Sequence, residues 1–227
     1  MIRLLREIAA LRHENPRETS FQRLRKAEAV GWSRPYSIRW RWLADDELPP
    51  LAKRAVVAGI DRRFWRHRGV DWAWVLESYR RNRRAGFRKQ GASTIPMQVV
   101  KNLYFDPTRS YRRKIAEALL APWMERVLGK DRILEIYLNV AEWGDGIFGI
   151  EAAANHHYGK RAVDLTVSEV SRLVAVLPAP LVWSPVHPPL LARLQAERIR
   201  RRLERGEGAK PGPAADRRRP GRRRVGA

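Results

Sequence analysis

The chain has 227 residues, a mass of 26.3 kDa and a formal net charge of +22, from 46 Lys and Arg against 24 Asp and Glu. That length suits one large domain or two small ones, and a hydrophobic fraction of 44% argues against a disordered chain. The absence of cysteine excludes a disulfide framework, a Cys-based zinc site and a cysteine nucleophile.

The N-terminus, MIRLLREIAALRHENPRE, has apolar residues broken by Arg, Glu and His. It lacks the apolar stretch and cleavage site of a signal peptide. No run in the chain reaches the roughly 18–20 apolar residues of a membrane span. Residues 1–17 therefore read as an N-terminal extension without a transmembrane helix. Trp32, Tyr36, Trp40 and Trp42 follow among arginines, and Ile38–Trp42 alternates apolar and polar, the pattern of a short strand.

From Leu48 to Leu203 the pattern is helical. Asp71 is a good N-cap for a helix through Trp74, Val75 and Tyr79 that stops near Gly86. Ser93 or Thr94 caps the next, with Pro96 tolerated in its first turn. Ser110 starts a helix through Ile115 and Leu119, which Pro122 should kink and Gly129 should end. Asp131 caps Ile133–Val140. Thr166-Val167-Ser168-Glu169 is a capping box ahead of Val170, Leu173, Val174 and Leu177. A very basic helix spans Leu191–Leu203. Residues 206–227, rich in Gly, Pro, Ala and Arg, cannot bury enough surface to offset their ordering entropy and read as a disordered basic tail. The expectation is a mainly α domain over residues 18–205, without internal repeats.

Several groups of residues can carry chemistry. Arg113, Lys114 and Glu117 share one helix face. A carboxylate between two cations stays ionised and can orient them or act as a base; the same spacing also fits a surface salt bridge of about 0.3–0.5 kcal/mol. Ser93, Thr94, Gln98 and Lys101 put small polar groups and a cation near a helix start, a setting that suits a phosphate, or equally ordinary capping beside a solvated lysine. His67 has no partner at ligand spacing and reads as a hydrogen-bonded structural histidine, and His156-His157 are a poor chelate because neighbours on a helix point about 100° apart. Glu135 reads as structural. Gly144, Gly146 and Gly149 suggest a tight turn leading into a helix at Glu151, and their spacing does not fit a dinucleotide site.

Taken together these groups resemble the glycosyltransferase domain that polymerises peptidoglycan from lipid II, in its monofunctional form. The family motif EDxxFxxHxG reads here Ile60-Asp61-Arg62-Arg63-Phe64-Trp65-Arg66-His67-Arg68-Gly69. GxSTITQQ with KNL reads Gly91-Ala92-Ser93-Thr94-Ile95-Pro96-Met97-Gln98 with Lys101-Asn102-Leu103. RKxxE is complete at Arg113–Glu117, RILExYLN with its Gly-rich turn and EAAA at Arg132–Asn139 and Gly144–Ala154, and LPxPxxxSP at Leu177–Pro180 with Ser184-Pro185. The resemblance covers residues 18–203. It implies a lysozyme-like fold with a small membrane-facing jaw, in which residues 16–46 take part. It also implies attack of an acceptor 4-hydroxyl on C1 of the growing chain, with undecaprenyl diphosphate leaving and inversion from α to β.

By the same resemblance Lys101, Asn102, Arg113 and Lys114 belong to the diphosphate site, Ser93, Thr94 and Gln98 line the donor, and Glu117 is the second carboxylate. It implies lipid II, the growing glycan, an anionic membrane surface and cell-wall synthesis proteins as partners, at the periplasmic face of the inner membrane. It requires no cofactor, allows a divalent cation at the diphosphate, and shows no dedicated metal cage. Three positions depart from the pattern. Ile60 stands where the family has its general-base glutamate, and losing such a base costs about 10²–10⁴-fold in rate. Pro96 and Met97 each remove a polar contact. Asp61, the neighbour, is the possible substitute base. The expectation is an impaired glycosyltransferase, with an inactive relative that binds lipid II or a partner as the alternative. The charge also suits nucleic acid, but no nucleic-acid motif is present, and a lysozyme-like hydrolase is weakened by the lost carboxylate at position 60.

Overall fold

The computed structural model describes residues 2–31, 36–86, 91–108 and 110–211. It is mainly helical, and its axis is the second half of a long helix, α6 (Tyr111–Val140). From Ile133 to Val140 every residue of α6 is buried, so this stretch must be enclosed on all sides. α5 (Ile95–Tyr104) packs along it through Ile95, Val99, Val100 and Leu103. α3 (Pro50–Ile60), α8 (Val167–Val176) and α9 (Leu190–Glu204) pack on one another and share the same core, with Val56, Leu173, Val174 and Ile199 buried among them.

The segment before α3 is fastened to the end of α6. β1 (Arg39–Trp40) lies parallel to β3 (Ile147–Phe148), which pairs antiparallel with β2 (Glu142–Gly144), giving the order β1-β3-β2. The buried Asn139 amide imitates a strand neighbour: it accepts from Leu43 N at 2.8 Å and donates to Leu43 O at 2.8 Å. Trp40 Nε1 donates to Asn139 O (2.8 Å) and Trp42 Nε1 to Glu135 (3.2 Å). α2 (Ser20–Glu28), opened by a Thr19–Gln22 capping box, is bolted to β2 by Arg25, which holds Glu142 through two hydrogen bonds of 2.7 and 3.0 Å.

The caps expected at Asp71 for α4 (Trp72–Ala85), at Thr94 for α5 and at Thr166–Glu169 for α8 are all present. Pro122 does not break α6; the one non-helical residue inside it is Gly129 (φ 74°, ψ 167°). Asp131 lies within α6 and pairs with Lys210 at 2.6 Å instead of capping. Ser110 stands at the N-cap of α6 without a side-chain cap bond.

The described residues reach further than the domain expected at 18–205. The N-terminal extension expected over residues 1–17 is folded onto the domain from residue 2. Leu4, Leu5, Ile8 and Leu11 recur with helical spacing in and just after α1 (Ile2–Ala10) and pack on the main core. Arg132 clamps the end of that segment, donating to Leu11 O (2.9 Å), Glu14 O (2.9 Å) and Asn15 Oδ1 (2.7 Å). At the other end the folded chain continues through residue 211, and residues 212–227 of the expected tail lie outside the described residues. Ile8 is fully buried, so Ile8→Ala should lower the unfolding free energy by about 2–5 kcal/mol in chemical denaturation; a change under about 0.5 kcal/mol would return α1 to the status of an appendage.

Candidate active site

α3 ends at Ile60, and the chain leaves the helix at Asp61 (φ −147°). The loop from 61 to 69 has no regular secondary structure apart from turns, and buried polar contacts hold it. The Asp61 carboxylate accepts from Ile95 N at 3.0 Å and meets His67 Nε2 at 2.9 and 3.0 Å. His67 Nδ1 faces Glu125 at 4.0 Å, and Glu125 accepts from Gly69 N (2.7 Å) and pairs with Lys130 (2.8 Å). Thr94 Oγ1 donates to Gly69 O at 2.5 Å while accepting from Met97 N. Gly69 has φ 75°, and a Cβ there would sit 2.3 Å from Pro122 N. Only glycine lets the loop cross α6 this closely.

This geometry corrects two expectations. Asp61 is buried and both its oxygens are engaged, so it is poorly placed to take a proton from a sugar hydroxyl. The Thr94 hydroxyl is buried and spent on the loop and the α5 cap, so it builds the site instead of lining it. His67 is the structural histidine expected. Ile60 is half-buried and packed against the main core, with no titratable group at that position.

Ser93, Lys101, Arg113, Lys114 and Glu117 do come together where the start of α5 and Lys101 face the first turns of α6. Glu117 is almost wholly buried and stands between Arg113 Nε at 2.9 Å and Lys114 Nζ at 2.6 Å. Lys114 Nζ also donates to Ser93 Oγ at 2.6 Å, which bridges the two helices. Arg113 reaches back to Asp106 O at 2.9 Å and to Thr108 O. Gln98 accepts at Oε1 from Tyr137 OH (3.2 Å), which leaves the amide nitrogen free to donate elsewhere. Tyr137 is fully buried inside the RILExYLN motif, and nothing in its spacing marks this role. Asn102 is buried on α5.

Lys101 has no carboxylate within ion-pair distance among the described residues, and its ammonium rests 5.2 Å from the centre of the Phe21 ring. Burial holds its pKa below the ordinary 10.5, with Glu117 opposing and Arg113 and Lys114 adding to the depression. Below that lowered pKa the folded and unfolded chains both carry the proton, and the buried charge weakens the fold. As pH rises through it toward 10.5 the folded chain loses its proton first, so stability increases. The cluster thus joins three cations to one carboxylate, a net positive pocket suited to a polyanion.

Residues 16–46, with their tryptophans, were expected to take part in a membrane-facing jaw. Trp40 and Trp42 are half-buried, with their indole N–H groups bound to α6; Trp32 lies outside the described residues. Among the exposed large apolar side chains, three lie on α4 (Trp72, Leu76, Tyr79) and four along α6 (Tyr111, Ile115, Leu119, Trp123), the α6 set four residues apart on one face. Val75, Ala118 and Ala121 pack the two helices together.

Replacing a poorly compensated buried cation should stabilise the fold. Lys101→Met is expected to keep or raise the thermal midpoint at neutral pH and to abolish the gain in stability toward alkaline pH. A fall in the midpoint by more than about 5 °C would contradict this account.

A sequence profile of the family described as Transglycosylase matches residues 28–204. A biosynthetic peptidoglycan transglycosylase of Azoarcus sp. (strain BH72) is 42% identical over 201 residues, covering 88% of this chain and 86% of the relative. The protein of that name from Rhodospirillum centenum (strain ATCC 51521 / SW) is 48% identical over 163 residues, 72% of this chain and 70% of the relative. One from Neisseria gonorrhoeae (strain NCCP11945) is 40% identical over 169 residues, 74% of this chain and 72% of the relative. The matched span takes in α3, the 61–69 loop, α5 and all of α6, and by it the chain belongs to the transglycosylase family, a family of glycosyltransferases.

Proposed function

We propose that this chain is a peptidoglycan glycosyltransferase that takes lipid II and the growing glycan as substrates, and that Ile60 slows its chemistry. The observation that carries the reading is the cluster of Lys101, Arg113 and Lys114 beside Ser93. The departing undecaprenyl diphosphate gathers negative charge as the C1–O bond breaks, and fixed cations aimed at it lower the barrier. Lys114 and Arg113 are already held by Glu117, so little reorganisation is needed when the diphosphate arrives. Lys101 supplies a desolvated charge whose energetic penalty an anionic ligand relieves. Gln98, oriented by Tyr137, offers its amide N–H groups to the donor.

Glu117 serves as the holder of the cations. Both its oxygens are engaged by positive groups, Arg113 and Lys114. With Asp61 engaged, the acceptor 4-hydroxyl has no evident base, and the expected rate loss is about 10²–10⁴-fold, or about 3–5 kcal/mol. A divalent cation fits the donor set poorly. The groups at the pocket are two lysines, an arginine, a serine and a carboxylate already taken by two cations, which suits an anion and leaves no free oxygen ligand for a metal. No step here runs through a metal. A second reading, a relative that binds the lipid-linked saccharide without turning it over, is favoured by the apolar packing of Ile60.

The same reading sets the protein on the periplasmic face of the inner membrane. The exposed α4 and α6 side chains, with Arg68, Trp123 and Arg126 around a hollow at one end of the α6 row, have the aromatic, apolar and basic mixture of an interfacial surface. Among the described residues no helix is long and apolar enough to cross a membrane.

Two measurements test these readings. Glycan formation from labelled lipid II should be weak or absent in the parent chain and rise by at least about 100-fold in Ile60→Glu. A parent already as fast as Ile60→Glu would refute the assignment of the base to position 60, and silence in both would leave only the binding reading. Co-sedimentation with phosphatidylglycerol vesicles should fall about fivefold or more in the double variant Ile115→Asp, Leu119→Asp; unchanged sedimentation would rule out the α4–α6 face as the docking surface.

A further inference from the structure

Beyond α9 the chain turns back toward the cleft. Arg202 Nη1 donates to Ala58 O at 2.8 Å, and Arg54 Nη2 donates to Leu203 O at 2.7 Å. Each guanidinium donates to a carbonyl in the last turn of the other helix, and Leu203 O accepts from Gly206 N at 3.0 Å as well. Glu207 bonds Arg205 (3.0 Å) and reaches Arg62 (3.4 Å). Gly208 has φ 84°, and a Cβ there would sit 2.2 Å from Arg54 O, so the strand of chain lies flat against α3. Its carbonyl accepts from Trp65 Nε1 at 3.3 Å. Lys210 Nζ pairs with Asp131 at 2.6 Å and lies 5.8 Å from the centre of the Trp65 ring system.

These contacts converge on the end of α3 that carries position 60, on the 61–69 loop, and on α6 just after Gly129. Residues 205–210 lie beyond the family match, which ends at 204. We propose that residues 202–210 are a strap that positions the α3 terminus and the 61–69 loop, with Gly208 and Lys210 as positioning residues for the cleft. The loop touches the site directly. Asp61 fixes Ile95 N, and Gly69 fixes Thr94, so the loop sets where α5 begins and where Ser93, Gln98 and Lys101 are presented. It has no ladder or helix of its own to hold it. On the cleft side it is held by Asp61, His67 and Gly69; on the opposite side the strap grips Trp65 and Arg62.

The strap's effect on transfer rests on the glycosyltransferase reading above; its effect on the loop does not. In the full chain, hydrogen exchange at the amides of residues 62–67 should quicken about two- to fivefold in Lys210→Ala, the range for losing an exposed ion pair, and about tenfold or more in Gly208→Val. Exchange in α8 should stay unchanged in Lys210→Ala. When each change is added to Ile60→Glu, kcat for glycan formation should fall by the same order while KM for lipid II holds. Unaltered exchange at 62–67 in both variants overturns the strap, as does acceleration spread evenly over the chain, which would mean general destabilisation. If the loop loosens as expected and Ile60→Glu makes no glycan, the strap stands and the glycosyltransferase reading falls.

Discussion

The buried carboxylate of Asp61 is the point on which the cleft depends. A charge removed from water has to be matched by hydrogen bonds or opposite charge, and breaking such a match costs about 3–5 kcal/mol. Here the matching groups come from two places: the His67 ring within the same loop, and the first free N–H of α5. Satisfying one carboxylate therefore joins the end of α3, the 61–69 loop and the start of α5. Glu125 does the same from the α6 side through Gly69 N and Lys130. The loop's lack of secondary structure is tolerable because its polar anchors are buried and its closest approach to α6 is made by a glycine.

The pocket beside this node stores positive charge at some expense to stability. Arg113 and Lys114 share one carboxylate, and Lys101 is left with an aromatic ring and, among the described residues, no ion-pair partner. Burial works against its charge more than Glu117 works for it. A folded protein has no structural reason to keep such a lysine, since an apolar side chain of similar length would pack as well. The proposed polyanionic substrate would supply the reason, because it would provide the missing counter-charge only when bound. The surplus of cations over carboxylates is therefore an argument about ligand chemistry that stands apart from the family motifs. Ile60 makes none of these polar contacts; it packs against the main core.

Residues 2–15 and 205–210 are both tied to the body of the fold. α1 is clamped by Arg132, whose guanidinium also pairs with Glu135 at 2.7 Å, and Glu135 in turn takes the Trp42 N–H. The C-terminal residues grip Trp65 and Asp131. The apolar exterior of α4 and α6 is different in kind. Among the described residues it is left exposed, and the aromatic residues expected to play that part, Trp40 and Trp42, are stitched to the interior by their indole N–H groups.

Much was legible from the residues alone. Asp71, Thr94 and the Thr166–Glu169 box set helix starts through contacts three residues away, and the Arg113–Glu117 pairing follows from one turn of helix; interactions of that range are written in local spacing. The motif order and the loss of a titratable group at position 60 were likewise sequence facts. Only the tertiary structure decided that Asp61 and Thr94 face inward, that Tyr137 reaches Gln98, that Lys101 is desolvated, and that residues 2–17 and 206–211 are folded. The break at Gly129 was legible in the residues, whereas that Pro122 leaves α6 unbroken belongs with these tertiary outcomes. Each of these depends on contacts between residues tens of positions apart, and no local period encodes which distant group will satisfy a buried charge or cover an apolar face.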